Sequence, residues 1–415
     1  MLIKIKKLDH FTKNIIFVFI GTSAANFLNL IYQLLIAHKL SPQDFAAFNA
    51  LLAVFMLISN PLGTLQVAIT KYASEHNARN ESHKINALIH GLFIKGVIVG
   101  GIIFVVFIFI SPFIVNSLKI DSVVLGYILA LLIAFSVLAP ILAGGLQGLE
   151  LFGWLVTSSL LGGIIKLVFT VIFIALGFQI AGALGALLIS IIFGAIIGVI
   201  PLRRFLTAQV KTEKLDYKEL FFYLFPIAIS NMCFIWLISF DMVLVKYFFS
   251  PEVSGAYSLA QMVGKIFLFL PGAISVVMFP RISGLDATNS DTRSVLKKSL
   301  FYALCLCLSS AIFYNIFPGL TLKLLTGKAL PESILLGRLF SISMTFFALC
   351  FVLINYFLSL KNLSFIKYLV FAVALQFLGI LIFHNSLLQV QLVLCVNSFF
   401  LLVLLFSKLR IKSSI

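Results

Sequence analysis

One apolar run of the sequence, residues 88–111, reads LIHGLFIKGVIVGGIIFVVFIFIS. It contains one lysine, Lys95, and no acidic residue, and as a helix it is long enough to cross the roughly 30 Å hydrocarbon core of a bilayer. The whole chain of 415 residues shares this character, since 61% of it is hydrophobic, 11% is charged and the mean hydropathy is +1.15. Such a composition excludes a water-soluble fold. The sequence therefore predicts an all-α membrane protein.

Apolar runs of similar length recur along the chain and predict about twelve transmembrane helices. The segments that join two spans near Phe178 and near Asn385 are short, and we predict a break between two helices at each of them. The predicted spans are residues 15–36, 45–69, 88–111, 121–144, 154–176, 180–201, 220–245, 256–279, 298–317, 333–358, 364–384 and 386–407.

The thirty lysine and arginine residues test the orientation of these spans. With both termini placed inside, 21 of them fall in inside segments, five in outside segments and four within spans. This asymmetry follows the positive-inside rule. We therefore expect a multi-pass protein of the cell's inner, cytoplasmic membrane with both termini in the cytoplasm. The rule also accounts for the net charge of +16 without a nucleic-acid partner, and we expect the basic segments to contact anionic membrane lipids.

A polar linker at residues 206–219 divides the chain into two predicted lobes of six helices, residues 1–205 and 220–415. The lobes share a sequence pattern, SPQDFAAF at residues 41–48 and SPEVSGAY at residues 250–257. Because each half has six spans, the copies have the same orientation and are predicted to be parallel repeats related by a pseudo-two-fold axis along the membrane normal. In transporters with repeats, the substrate path lies between the halves.

Four prolines lie inside predicted spans, where each removes a backbone hydrogen bond and favours a kink. Pro61 and Pro271 occupy corresponding places in the two halves. The other two are Pro140 and Pro226.

Two predicted spans carry four polar residues at helical spacing. Steps of four, three and four place each set on one face of its helix. Such a face can form hydrogen bonds between helices in lipid, worth around 1 kcal/mol per contact, or it can face water. The length of the two sets favours a surface that faces water. The sets are Thr22, Asn26, Asn29 and Gln33 in the first span, and Ser254, Ser258, Gln261 and Lys265 at the start of the eighth, where Ser254 lies just before the predicted span.

Charged residues within the spans are costly, because a lysine or arginine at the centre of a membrane helix costs roughly 2.5–3.5 kcal/mol. Lys166 and Lys265 lie near the middle of their spans, whereas Lys95 and Arg338 lie nearer to helix ends, from which they can also extend to the membrane surface. Asp241 is the only acidic residue well inside a predicted span, and we favour a structural ion pair with one of these cations.

The balance of charge in the spans is cationic and suits an anionic cargo, such as a pyrophosphate or an acidic sugar. The sequence thus predicts a substrate cavity formed by polar and charged residues of several spans. These are Lys166, Lys265, Lys95, Arg338, Asp241, Asn26, Asn29, Gln33 and Gln261.

Catalytic and metal-binding patterns are missing from the sequence. The five cysteines lie in apolar stretches at irregular spacing, and no cluster of carboxylates and histidines or phosphate-binding glycine loop is visible. We therefore expect a protein that is not an enzyme and has no metal or cofactor. Its energy source would be an ion gradient, the membrane potential or the gradient of the cargo itself.

Three local patterns resemble a known group of proteins: DMVLV followed by SPEVSGAYSLA in residues 241–260, GLQGLELF in residues 145–152, and KYASE in residues 71–75. With twelve spans in two halves, the chain resembles the polysaccharide and oligosaccharide flippases of the multidrug/oligosaccharidyl-lipid/polysaccharide exporter superfamily. The resemblance implies a V-shaped pair of lobes around a central cavity. It also implies alternating access, a glycan linked to undecaprenyl pyrophosphate as substrate, and glycan-assembly proteins as partners.

Other functions remain open at this stage. The first is a cation-coupled exporter of drugs or metabolites from the same superfamily. Such exporters usually carry a membrane-embedded acidic residue in the first half, and no acidic residue lies deep in a span of the first half of this sequence. Flippases of peptidoglycan precursors usually have fourteen spans, two more than this chain accommodates. A membrane scaffold or an integral membrane enzyme would be a different class of protein.

Overall fold

The computed structural model describes residues 10–206, 217–269, 272–288 and 290–411. Within these ranges the chain forms α-helices joined by short turns, with two 3-10 segments and no β-strand. The predicted all-α membrane protein is thus confirmed. In chain order the helices are α1 (His10–Lys39), α2 (Pro42–Ser59), α3 (Gly63–Ala78), α4 (Ser82–Ser117), α5 (Val123–Ser136), α6 (Leu138–Gly148), α7 (Phe152–Ala175), α8 (Gln179–Leu206), α9 (Tyr217–Phe248), α10 (Pro251–Phe269), α11 (Gly272–Ala287), α12 (Arg293–Ile316), α13 (Pro318–Thr326), α14 (Pro331–Ser359), α15 (Ile366–Ile382) and α16 (Leu387–Ile411).

Within the part of the chain that the structure describes, eleven helical segments are long and apolar enough to cross a membrane, and they coincide with eleven of the twelve predicted spans. The eighth predicted span, residues 256–279, includes residues 270 and 271, which lie outside the described ranges, and α10 and α11 lie on either side of them. Both short joins are confirmed as breaks, since α7 and α8, like α15 and α16, are separate helices.

Many large apolar side chains are exposed on the helices. On α4, the side chains of Phe109 and Phe113 are 78% and 74% exposed. Contiguous exposed apolar surface of this kind is rare on soluble proteins and marks contact with another apolar phase. In a chain of membrane-spanning helices, that phase is the hydrocarbon of the lipid.

The prolines interrupt the predicted spans in two places. Pro61 lies in a 3-10 segment, Asn60–Leu62, that separates α2 from α3. Pro140 lies in the first turn of α6, directly after the break at Val137 that ends α5. Pro226 lies within α9, and Pro271 is outside the described residues. The second and fourth spans are therefore each built from two helical segments.

The chain divides into two compact units by its internal contacts. Unit 1 comprises Met1–Lys39 and Ile58–Leu224, and unit 2 comprises Leu40–Leu57 and Phe225–Ile415. This differs from the division by chain order, because residues 40–57 pack with the second half of the chain. The other boundary lies between Leu224 and Phe225, shortly after the predicted linker at residues 206–219, most of which lies outside the described residues.

Close helix packing in unit 1 depends on small residues of the GLQGLELF pattern and its neighbourhood. A Cβ atom at Gly148 would lie 2.8 Å from the carbonyl oxygen of Thr70, so α6 approaches the backbone of α3 where only glycine fits. The Gln147 amide oxygen accepts a hydrogen bond from the Gln66 side chain at 3.1 Å across the same interface. Two of the patterns that carry the family resemblance, GLQGLELF and KYASE, therefore lie on helices that pack together.

Helix α14 is the centre of unit 2, where it packs against α10, α11, α12 and α16. Most of its length is buried, including Phe340, Met344 and Phe347. Its burial among helices, with little lipid contact, follows from this central position.

The repeated sequence pattern starts α2 and α10 in the same way. Ser41 Oγ accepts a hydrogen bond from the backbone N–H of Asp44 at 3.1 Å, and Ser250 Oγ accepts one from Val253 at 3.5 Å. In both helices proline follows the capping serine at the first helical position, where its missing N–H has no cost. The predicted sequence repeat is thus also a repeat of local structure.

Residues 40–57 join unit 2 through direct contacts of α2 with α10. A Cβ atom at Gly255 would lie 2.9 Å from the backbone carbonyl carbon of Pro42, so the helices touch at the glycine. One turn further along α10, the Oγ atom of Ser258 accepts a hydrogen bond from Asn49 Nδ2 at 2.8 Å, and both side chains are buried. The first part of the second predicted span is therefore held by the second half of the chain.

Candidate functional site

Unit 1 contains a polar cavity of about 320 Å³ between α1, α7 and α8. Its volume lies at the lower end of the range for pockets that bind small molecules. It is lined by Thr22, Ala25, Asn26 and Asn29 from α1, by Ser159, Gly163 and Lys166 from α7, and by Ser190 from α8.

The polar face predicted on the first span forms one wall of this cavity. Thr22, Asn26 and Asn29 all contribute to the lining, and all three are exposed to it. Gln33, the fourth residue of the predicted face, is half-buried and does not line the cavity. The structure therefore brings together the first three members of the set, and the role of Gln33 stays a prediction.

The wall opposite α1 comes from a second face that the sequence analysis missed. Ser159, Gly163 and Lys166 follow at steps of four and three, which is the same helical spacing as on α1. The signal was present in the sequence, but one hydroxyl and one glycine do not interrupt an apolar run enough to be noticed. Only the lysine was recognised.

Lys166 is only 6% exposed and is held by two neighbours on α1. Its Nζ atom donates a hydrogen bond to Asn29 Oδ1 and lies 4.5 Å from the ring centroid of Tyr32. The Tyr32 hydroxyl in turn donates to the carbonyl oxygen of Ala183 on α8 at 2.9 Å, which fixes the ring. A cation–π contact is worth about 0.5–2 kcal/mol, so together with the hydrogen bond it offsets much of the cost of a buried ammonium group. Tyr32 was not predicted as part of the site.

Three hydroxyl groups of the lining donate their hydrogen atoms to backbone carbonyl groups. Thr22, Ser159 and Ser190 make these bonds at 2.8, 3.0 and 2.8 Å. A hydroxyl that donates to the backbone retains its oxygen lone pairs as acceptors. The cavity wall therefore offers acceptors on its hydroxyl oxygens.

Unit 2 contains a buried polar cluster around Asp241 of α9. The Tyr257 hydroxyl donates to Asp241 Oδ2 at 2.7 Å, and Gln261 Nε2 lies 3.1 and 2.9 Å from Oδ1 and Oδ2. The Asp241 and Tyr257 side chains have no exposed surface, and Gln261 is 1% exposed. The carboxylate is thus satisfied by neutral donors from α10.

Lys265 lies near this cluster without joining it directly. It is half-buried, it interacts electrostatically with Asp241, and no nitrogen–oxygen contact within 4.0 Å joins the two side chains. Asp241 and Lys265 therefore do not form the expected direct ion pair, and they attract each other over a longer distance. The expectation that the polar face of the eighth span faces water does not hold for Gln261 in this structure, because its amide is buried against Asp241.

The remaining predicted site residues, Lys95 and Arg338, are exposed side chains on α4 and α14. Neither lines the cavity of unit 1. Their contact with a cargo stays a prediction.

A helical membrane protein whose spans enclose a polar cavity with a buried cation has the features of a solute transporter. No cluster of three or more potential metal ligands occurs among the residues that the structure describes. The fold and the cavity thus define a multi-pass membrane transporter.

The sequence matches the family described as "Polysaccharide biosynthesis protein" over residues 11–286, and the chain belongs to this family. A Shigella flexneri protein named "Putative O-antigen transporter" is 24% identical over 311 residues, which cover 71% of this chain and 71% of that protein. The family resemblance inferred from the sequence is thereby confirmed.

Solved structures of the MOP superfamily share the fold. An inward-facing multidrug resistance MATE family transporter has a TM-score of 0.80 at 15% identity and covers 94% of this chain and 95% of its own. The lipid II flippase MurJ in an inward closed conformation has a TM-score of 0.74 at 14% identity, with coverage of 95% and 87%. The chain therefore shares the fold of these proteins, and the proteins to which it is similar are transporters and flippases rather than enzymes.

Proposed function

We propose that the protein flips a lipid-linked oligosaccharide across the inner membrane by alternating access. The carrier lipid is undecaprenyl pyrophosphate, as the family resemblance implies. The observation that carries the proposal is the buried ammonium group of Lys166 in the wall of a polar cavity within the membrane-spanning part of unit 1.

A charged side chain within the membrane is costly. Lys166 requires a partner or water, and its protein partners, an amide oxygen and an aromatic ring, are both neutral. Among the described residues that line this cavity, none is acidic. The positive charge is thus left uncompensated, which favours an anionic cargo. Lys265 is a second candidate cation, in unit 2, although Asp241 partly offsets its charge.

In the cell, we place the protein in the inner membrane. Both termini lie in the cytoplasm, where the glycan is assembled on its carrier, and glycan-assembly proteins are the expected partners. Support comes from the positive-inside distribution of lysine and arginine and from the family to which the chain belongs.

The test is reconstitution into liposomes with a fluorescent lipid-linked oligosaccharide, whose transfer is followed by its access to an impermeant glycosidase. Lys166→Gln keeps a polar side chain without the charge and should slow flipping at an unchanged amount of folded protein. Lys166→Glu should slow it further, because repulsion of the anion is added to lost attraction. The exposed Lys297→Gln change on α12 is the matched control and should flip normally. Full transport by the Lys166→Gln/Lys265→Gln variant would overturn the role of these cations in binding the cargo, and a wild-type protein that does not flip the oligosaccharide would overturn the proposed function.

A second candidate is a cation-coupled exporter of small molecules, since the fold is shared with a multidrug transporter. Cationic dyes such as ethidium separate the two functions. An exporter would clear the dye from vesicles, and loss of the Lys166 charge would leave that export unchanged or improve it. The flippase would show no such export.

A further inference from the structure

The donor groups at the Lys166 end of the cavity have a definite arrangement. A lysine only donates hydrogen bonds, so the amide oxygen of Asn29 must be the atom that faces Nζ. The Asn29 amide nitrogen therefore points away from Lys166, and it makes no hydrogen bond to any residue within the described ranges. Because Asn29 is exposed to the cavity, its nitrogen is available as a donor beside the ammonium group.

Lys166 keeps donor capacity towards the cavity as well. Of the three hydrogen atoms on Nζ, one is donated to Asn29 and another side of the group faces the Tyr32 ring. The ammonium and the neighbouring amide nitrogen thus form a pair of donors. Two adjacent donors, one of them charged, match the two oxygens of a carboxylate.

The charge of the lining also distinguishes between anions. Lys166 is the one charged residue among the lining residues. A carboxylate carries a single negative charge, which this ammonium neutralises. A pyrophosphate linking lipid and sugar carries two, so one charge would remain uncompensated in a largely buried site.

The acceptors of the lining suit the rest of a sugar ring. The lining contains three hydroxyl groups that donate to backbone carbonyl groups, so their oxygen lone pairs can accept hydrogen bonds from a ligand. They belong to Thr22, Ser159 and Ser190. Sugar hydroxyl groups can donate to these oxygens. Asn26, on the same face of α1, adds an amide that can both donate and accept.

We propose that this cavity binds an acidic sugar of the cargo, a monosaccharide unit that carries one carboxylate. Lys166 and Asn29 bind the carboxylate, and the hydroxyls of Thr22, Ser159 and Ser190 bind the ring. The assignment rests on the proposed flippase function and names the glycan unit that the cavity recognises. The volume of about 320 Å³ fits a small part of an oligosaccharide, which leaves the remaining sugars and the pyrophosphate outside this cavity.

Equilibrium binding to the purified full-length protein in lipid nanodiscs tests the assignment. The probes are radiolabelled glucuronate, glucose, acetate and inorganic phosphate. We expect glucuronate to bind at least about tenfold more tightly than each of the others, because only glucuronate uses both the charged pair and the hydroxyl acceptors. Equal or tighter binding of phosphate would show that the cavity does not select a carboxylate. Equal binding of glucose would show that it does not require a charge, and equal binding of acetate would show that it does not recognise the sugar ring.

Asn29→Asp tests the donor pair while it keeps an acceptor for the hydrogen bond of Lys166. The aspartate still accepts the hydrogen bond of Lys166, but it replaces the donor with a negative charge. We expect glucuronate binding to fall by at least about tenfold, because the aspartate lacks the donor and repels the carboxylate, and unchanged binding would overturn the assignment of this donor pair. Lys166→Gln should give a similar loss, and the exposed Lys297→Gln change should give none. If the Lys166→Gln protein cannot be purified, Asn29→Asp still tests whether the donor pair binds the carboxylate, since it retains a partner for Lys166.

Flipping assays on the same variants keep this inference distinct from the proposed function. If glycolipids with and without an acidic sugar are flipped equally well, and both depend on Lys166, the acidic-sugar assignment is wrong and the flippase stands. If glucuronate binds as expected but no glycolipid is flipped, the binding site stands and the flippase is wrong.

Discussion

Replacing Tyr257 by phenylalanine removes one hydroxyl from the buried cluster around Asp241. The hydroxyl donates to Asp241 Oδ2 at 2.7 Å, and neither side chain has exposed surface, so water cannot replace the lost bond. A hydrogen bond to a charged group contributes about 1.5–3 kcal/mol and one between neutral groups about 0.5–1.5 kcal/mol. We therefore expect Tyr257→Phe to lower the free energy of unfolding. A loss in the larger range would indicate that the Asp241 carboxyl group is ionised, and a loss in the smaller range that it is neutral.

The loss should be visible in thermal unfolding of the detergent-solubilised protein. For a unit of roughly 200 residues, 1 kcal/mol corresponds to about 2–4 °C in Tm, so an ionised carboxylate predicts a decrease of about 3–12 °C. The fluorescence of Trp236 is a suitable probe because this residue lies on α9, as Asp241 does. Tyr302→Phe on the exposed face of α12 is the matched control.

The partners of Asp241 should differ in their effect. Lys265→Gln should destabilise the protein less than Tyr257→Phe, because Lys265 makes no direct ion pair with the carboxylate. In the Asp241→Asn background, Tyr257→Phe should cost less than it does alone, since the charge-assisted part of the bond is already lost. A Tyr257→Phe protein as stable as the Tyr302→Phe control would refute the assigned role of this cluster.

Three further measurements test the orientation of the chain, the access to the cavity and the packing of α10. Topology reporters fused after Lys84 should report cytoplasm and those after Lys328 the outside, as the positive-inside rule requires. A cysteine at Asn29, in a background without the native cysteines, should react with an impermeant thiol reagent because it faces the cavity, whereas one at Gln261 should not because it is 1% exposed. Gly255→Val should destabilise the protein by about 1–3 kcal/mol in thermal unfolding, since even a Cβ atom there would lie 2.9 Å from the backbone of α2.

Each of these predictions has a control. A reporter after Lys119 should agree with the one after Lys328, and a reversed signal at Lys84 would contradict the assigned orientation. A cysteine at Phe109, 78% exposed on an apolar helix surface, should be inert, and equal inertness at Asn29 would argue against an accessible cavity. Gly319→Ala should be tolerated, because its Cβ atom would meet nothing closer than 4.0 Å, and an equal loss at Gly319 would contradict the packing argument.

The transmembrane helices could be predicted from the sequence because the bilayer imposes both a length and an apolar composition on every span. Lys166 could be predicted for a related reason, since a charge in mid-span needs an explanation in any fold. The partner ring of Tyr32 could not, because its place beside Lys166 depends on how α1 packs against α7 and α8.

Polar faces were harder to interpret than charges. The spacing of Ser258 and Gln261 is the same whether the face meets water or a buried polar group. In the structure Gln261 meets Asp241, which lies twenty positions earlier on another helix. Sequence spacing gives the direction of a side chain from its own helix, but the partner in that direction is set by packing between helices.

The position of residues 40–57 has a consequence for the construction of chimaeras. A recombinant that joins the first half of one relative to the second half of another at the linker would pair α2 of one parent with α10 of the other. The tight contact at Gly255 and the buried bond between Asn49 and Ser258 would then have to form between residues that did not evolve together. A functional exchange of halves should therefore transfer residues 40–57 together with the second half, even though they precede most of the first half in the gene.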